Sequence, residues 1–199
     1  ILPLILEENK NINLDRKRLF SIINKSNNTD TEKNWLEKKY RQYGIPSRDL
    51  SILKRRMDIV PVSLAIAQAA KETGWGTSRF AIEGNALFGQ WTYSGSGIKP
   101  LKANDNENHK VMKFQILEAS IRAYHRNLNT HSSYRNFRAK RAHARDNEES
   151  LDSILLADYL DKYAETGIEY TKILKKIIIQ NSLKEFDDVI ILKKKNNFK

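Results

Sequence analysis

The sequence has no cysteine, and only four prolines, eight glycines and two methionines among its 199 residues. The missing cysteines exclude disulfides, thiolate metal centres and cysteine nucleophiles, and they leave the redox compartment open. Pro3, Pro46, Pro61 and Pro100 stand singly. With no Pro/Gly-rich linker and no internal repeat, the chain reads as one domain with an appended tail. No apolar run reaches the roughly 18 residues needed to span a bilayer. The opening ILPLILEENKNI is briefly apolar but has no basic n-region, no cleavage site and no initiator Met. It reads as the start of a mature or truncated product, which leaves room for a removed export signal.

What is present is hydrophobic matter enough for a core and a strong excess of positive charge. Hydrophobic residues make up 40% and charged residues 30%, which argues against disorder. Thirty-five Lys and Arg against 24 Asp and Glu give a formal net charge of +11. Such a charge favours polyanionic surroundings: nucleic acid, an anionic membrane face or an anionic cell-wall polymer. The strongest basic cluster, YRNFRAKRAHAR (134–145), contains no base-reading motif. It is expected to be a solvated helix face, with a polyanion-facing patch for cell-wall binding as the alternative.

Helical spacing dominates. Residues 1–24 read as an amphipathic helix with a break. Thr31 is the expected cap of a helix reaching Gly44, and Ser47 that of the next, with Leu50, Leu53 and Met57 in phase. Pro61 opens the most apolar segment, PVSLAIAQAAKETG, and Gly74 stops it. Its near lack of a polar face predicts a central, buried helix. From 84 to 114 glycines and polar residues predict a loop and an irregular hairpin, with HKVMKF as the strand. Helices are predicted again after Ile116, over 134–145, from Ser150 or Asp152, and over roughly 167–180. The basic end, 184–199, reads as a frayed tail after a domain of residues 1–183.

The stretch AQAAKETGWGTSRF (67–80) is where chemistry is expected. Val62, Ala65, Ala69 and Glu72 share one side of the apolar helix, with Glu72 at its C-terminal end. Burial and the negative end of the helix dipole both raise a carboxyl pKa. An acid kept protonated near neutrality suits general-acid catalysis. Trp75 stands close enough in sequence to wall off water. The bland alternative is a Glu72 frayed at the helix end and exposed, or paired with Lys71, Arg79 or Arg122. The four histidines show no metal-ligand spacing and read as satisfied polar residues.

This stretch, extended to VPVSLAIAQAAKETGWGTSRFAIEGNALFGQWTY (60–93), resembles the signature of the family-73 glycoside hydrolases, bacterial glucosaminidases with a lysozyme-like fold, and within them the Bax-type branch. HKVMKF (109–114), SIRAYHRNLNTHSSYRNFR (120–138) and YAETGIEYTKIL (163–174) follow in the family's order and spacing, and the opening segment also resembles the Bax-type region, so the resemblance covers most of the chain.

The resemblance implies a mainly α, α+β lysozyme-like fold: a helical bundle around a central buried helix, with a small β-hairpin beside a substrate cleft. It places the catalytic acid on Glu72, with Gly74 and Gly76 shaping the turn that aims it. It puts Phe88 and Gly89 of NALFG on the groove floor, with a purely structural turn as the equal alternative. Trp75, Trp91 and Tyr93 are aromatics suited to stacking on pyranose faces; one alone is most often a core residue, but three around a glycine-rich turn favour a site. A second carboxylate is sought on the hairpin, at Glu107 or Asp105, with Glu83 read as structural; without one, the substrate's own N-acetyl oxygen can attack the anomeric carbon. Tyr163 and Tyr170 match the family's two tyrosines, with Gly167-Ile168 in place of its usual Asp-Pro. Tyr170 is the candidate for polarising the N-acetyl group or water, and core packing is the alternative.

The implied partner is peptidoglycan or another N-acetylglucosamine-containing glycan, with no nucleic acid, no metal and no cofactor. The chain is expected to act as a monomer, weakly associated with the envelope, in the periplasm or otherwise exported. A non-catalytic glycan-binding or scaffolding relative is the rival reading.

Overall fold

A computed structural model describes residues 1–92, 97–98 and 110–191 of the chain. Helix α1 (Leu2–Ile23) runs without a break; Pro3 sits in its first turn, where no backbone donor is needed. Helix α2 (Asp30–Gln42) is capped by Thr29 rather than Thr31. Glu32 accepts from the Thr29 amide at 2.9 Å and returns its own amide to the Thr29 hydroxyl at 3.3 Å, a reciprocal cap that Thr31 has no glutamate to complete. Helix α3 (Leu50–Arg56) starts after Asp49 rather than Ser47, because the Asp49 carboxylate reaches two free amides, Ser51 at 2.7 Å and Ile52 at 3.1 Å.

Helix α4 (Val62–Thr73) is the predicted buried helix, stopped by Gly74 in the left-handed conformation. Leu64, Ala65 and Ala67 are fully buried, and the main core forms around them. To it α1 contributes Ile5, α6 (Leu117–Thr130) contributes Ile121, Tyr124 and Leu128, and α9 (Ile168–Gln180) contributes Tyr170, Leu174 and Ile178. The short helices α5 (Arg79–Gly84) and α8 (Ser153–Ala157) and the longer α7 (Arg135–Asp146) complete the helical set among the described residues. A second, smaller core of Leu19, Tyr40, Tyr43, Ile45, Leu53 and Met57 joins the far end of α1 to α2 and α3.

The β-element is small. Strands β1 (Trp91–Thr92) and β2 (Gly97–Ile98) both run antiparallel to β3 (Lys110–Met112), in the order β1-β3-β2, with Trp91 opposite Val111 and Gly97 opposite Met112. The predicted strand in HKVMKF is therefore β3, the centre of three short strands. The sheet is pinned beside α5. The Phe114 amide donates to the Gly84 carbonyl at 2.8 Å, and the Asn85 side-chain Nδ2 donates to the Phe114 carbonyl at 3.0 Å.

Two expectations are corrected by packing. Residues Leu183–Phe186 form a 3₁₀ turn with Leu183 buried, and Asp187 accepts from the Ser63 amide at 2.8 Å and hydroxyl at 2.7 Å. Helix α4 begins with Pro61, which has no side chain to cap it, and Asp187 supplies that cap from the far end of the sequence. The chain is thus held past 183, where the frayed tail was expected to begin. The arginine-rich α7 is not a wholly solvated face either. Arg138 and Arg141 are buried, Arg138 donating to the Leu128 and His131 carbonyls at 2.8 Å and Arg141 to the Ile59 carbonyl at 2.8 Å and the Asn129 side chain at 2.7 Å. Helical spacing shows which residues share a face but not whether that face meets water.

Candidate active site

Glu72 sits in the last turn of α4, half-buried. After it the chain reverses through Gly74, Trp75 and Gly76, all at positive φ. A non-glycine residue tolerates this region poorly, and Trp75 occupies it because its amide is tied to the Ala70 carbonyl at 2.9 Å. The reversal turns the Trp75 ring outward. It is 61% exposed and is not among the described residues lining the cleft, so it does not wall off Glu72 as expected.

The walls come from elsewhere. Glu72 opens on a cleft of about 690 Å³ lined also by Phe88 and Gly89, with Gln90 and Met112 from the sheet side. Asn127, His131, Ser133 and Tyr134 form one flank, and Lys162, Tyr163, Ala164 and Glu165 the other. Gly89 is at φ +58°, and a β-carbon there would stand 2.7 Å from Glu72 Oε2. The backbone of the NALFG turn therefore lies directly against the carboxyl, and a side chain at position 89 would strain the left-handed backbone and push the carboxyl aside. Phe88 is held by stacking on Tyr124, with centroids 3.9 Å apart and planes 11° apart. Its carbonyl accepts from the Tyr163 hydroxyl at 2.8 Å.

The two family tyrosines divide the space differently from the expectation. Tyr163 lines the cleft, with its hydroxyl spent on Phe88. Tyr170 stacks behind it at 5.5 Å and 5°, is 1% exposed, and is absent from the described lining. Its hydroxyl accepts from Gln68 Nε2 at 3.0 Å and lies close enough to the Glu72 carboxyl to influence its ionisation. Tyr170 therefore addresses the acid rather than the space a sugar would fill.

Burial raises the Glu72 pKa above its ordinary value, and the hydrogen bond from Tyr170 and the charge of Lys71 only partly oppose it. Burial and the negative charge of Glu72 push the Tyr170 phenol upward. Burial does the same for Tyr134, with Glu72 adding to the rise and a hydrogen bond with Asn127 opposing it. The phenols stay neutral around the acid.

Trp91 is in β1, next to Gln90 of the cleft, while Tyr93, Asp105 and Glu107 lie outside the described residues. Glu83 is exposed and pairs with Arg79 at 3.9 Å. Among the described lining residues the second carboxyl is Glu165, exposed. Sequence reasoning passed over Glu165, Tyr134, His131 and Lys162. It also missed Gln68, although a glutamine four residues before the acid in an otherwise apolar helix was a legible signal. Among the described residues no group of three or more His, Asp or Glu is placed to hold a metal ion, and no helix is long and apolar enough to cross a membrane.

A buried helix presenting a carboxyl with a raised pKa to an aromatic-walled cleft, beside a small sheet, is the architecture of a lysozyme-like glycoside hydrolase. The family comparison agrees. Residues 47–183 match the glucosaminidase model, described as mannosyl-glycoprotein endo-beta-N-acetylglucosaminidase, and the chain belongs to that family. It is 30% identical over 184 residues to the protein bax of Escherichia coli (strain K12), a match covering 87% of this chain and 64% of the relative. The chain thus spans a little under two thirds of that relative's length. In fold it is similar to the catalytic domain of the autolysin Auto from Listeria monocytogenes, with a TM-score of 0.50 and 20% identity, covering 87% of this chain and 97% of that one.

Proposed function

We propose that the chain hydrolyses β-1,4 glycosidic bonds next to N-acetylglucosamine in peptidoglycan, with Glu72 as the general acid. The observation that carries the reading is the half-buried Glu72 carboxyl, facing the cleft with its pKa raised by burial. The neutral carboxyl gives its proton to the leaving glycosidic oxygen as that oxygen parts from the anomeric carbon. The N-acetyl oxygen or a second carboxylate stabilises the anomeric centre. Water then adds there and returns a proton to Glu72. Activity therefore declines on the alkaline side as Glu72 ionises. Such a substrate lies in the cell envelope, so the protein works exported, and the net charge of +11 favours a polyanionic wall.

Digestion of purified peptidoglycan, with mass analysis of the new reducing ends, tests this. Reducing N-acetylglucosamine ends support it. Binding to the polymer without new ends would instead establish a glycan-binding or scaffolding protein.

Three variants refine the site. Glu107→Ala and Asp105→Ala should each impair hydrolysis less than loss of Glu72, because water or the substrate's own amide can replace a second carboxylate. A loss at either position equal to that at Glu72 would restore a fixed second acid. Gly89→Ala places a methyl 2.7 Å from Glu72 Oε2 at a left-handed backbone position. Displacing a catalytic group by about an ångström can cost on the order of 100-fold, so a fall of at least about 10-fold in kcat is expected. Full activity would show that the acid has freedom to move aside.

A further inference from the structure

Behind the cleft runs a buried chain of hydrogen bonds that the reaction itself does not require. Tyr124, Gln68 and Tyr170 are 0%, 0% and 1% exposed. The Tyr124 hydroxyl donates to Gln68 Oε1 at 2.7 Å, and Gln68 Nε2 donates to Tyr170 Oη at 3.0 Å. Tyr170 in turn meets the Glu72 carboxyl. The partners stand 56 and 102 residues from Gln68 in sequence, so α6 and α9 converge on one amide of α4.

An amide is polar in a fixed sense, donating at one end and accepting at the other. Because Gln68 offers Tyr170 its nitrogen, the Tyr170 hydrogen has no acceptor on that side and points to Glu72. The reversed amide would draw that hydrogen to Gln68 and turn it away from the half-buried Glu72 carboxylate, the costlier arrangement. Tyr124 selects the sense, because its hydroxyl hydrogen needs the amide oxygen. Tyr124 is itself held by its stack on Phe88.

We propose that Gln68, seconded by Tyr124, is a positioning residue: it fixes the direction of the Tyr170 hydroxyl and through it the proton affinity of Glu72. It acts against burial, since a hydrogen bond to the ionised carboxyl favours that form. The acid is thereby kept from becoming too weak to return to its charged state and accept a proton from water in the second half of the reaction. The other ionisable groups around Glu72 are Lys71 on its own helix, His131 and Tyr134 on one flank, and Lys162, Tyr163 and Glu165 on the other. None of the variants below alters them.

The first measurement is the titration of the Glu72 side-chain carboxyl by carbon-13 NMR in the ligand-free protein, its resonance assigned by its loss in Glu72→Gln. Gln68→Met keeps length and removes both polar ends. It should raise the Glu72 pKa by about one unit, as Tyr170→Phe should. Gln68→Met added to Tyr170→Phe should raise it no further, because the amide acts only through that hydroxyl.

Tyr124→Phe removes a single oxygen and keeps the ring on Phe88. It frees the amide to reverse, so it should raise the pKa in the same sense by less. It also decides the matter if Gln68→Met fails to fold. A wild-type Glu72 titration in folded Tyr124→Phe, or in folded Gln68→Met, overturns the proposal. A mere packing role would lower the melting temperature without moving this titration.

The consequence for catalysis rests on Glu72 being the acid: the alkaline limb of kcat against pH should move upward with the titration. If the titration moves and the limb does not, the positioning role stands and the assignment of Glu72 as general acid falls.

Discussion

Replacing Glu72 with glutamine is expected to lower peptidoglycan hydrolysis by at least about 100-fold, within the range for losing a positioned general acid. The amide keeps the shape of the carboxyl against the Gly89 backbone and can still accept from Tyr170, so the cleft is preserved. It cannot release a proton to the leaving oxygen. The protein should fold, because a half-buried neutral amide is less costly than a charge in the same place. Turnover and the unfolding midpoint measured on one preparation separate the two effects. Near-normal turnover in a well-folded Glu72→Gln protein would remove Glu72 from the mechanism.

The largest expected loss of stability lies at the other end of α4. Asp58 is 2% exposed and receives Arg145 through two hydrogen bonds of 3.1 and 3.2 Å, with Arg16 and Arg141 each at 3.8 Å. Burial alone would push its pKa up, but the charges of Arg141, Arg16 and Arg145 outweigh it and hold the carboxyl below the usual value. Arg141 is fully buried, and burial lowers its own pKa to about 10 despite the opposing charge of Asp58.

Asp58→Asn leaves a buried guanidinium without a counter-charge, a change that typically costs about 3–5 kcal/mol. Adding Arg141→Met should recover part of the loss, since removing both charges is far less damaging than removing one. Hydrolysis per folded molecule should be unchanged, because Asp58 and Glu72 are separated by the length of α4, about 18 Å. Because the folded pKa lies below the unfolded one, the Asp58 contribution is complete above about pH 4 and is lost as the pH falls further. Denaturant titrations at neutral pH check the size, and a cost under about 1 kcal/mol would mean that Arg141 finds water or another acceptor.

Much of the scaffold was legible because its signals are local. Proline at one end, glycine at the other and a mainly apolar run between them mark α4 without reference to any other part of the chain. The same run puts Glu72 at its end, and the NALFG turn announces a backbone that approaches something closely. The matching blocks from residue 60 to 174 lie within the 47–183 span of the glucosaminidase family. The caps were displaced by two residues in each of α2 and α3, because several hydroxyls and carboxylates crowd each helix start and only geometry selects one.

The sequence by itself determined a helical protein with a central apolar helix, an acid at the end of that helix and a glycine-rich turn before a small sheet. Those are properties of short segments, set by periodicity, by backbone permission and by residue chemistry. Only the tertiary structure decided what surrounds the acid. It turned Trp75 outward, brought Tyr163 to the cleft, and placed the Tyr170 hydroxyl behind Glu72 on an amide shared with Tyr124. It also drew Arg141 inward to Asp58, out of a run that reads as solvated. Polar side chains lose their hydration on burial, so each must find a partner. Which partner it finds depends on how α6, α7 and α9 pack on α4, over separations at which no local pattern carries information.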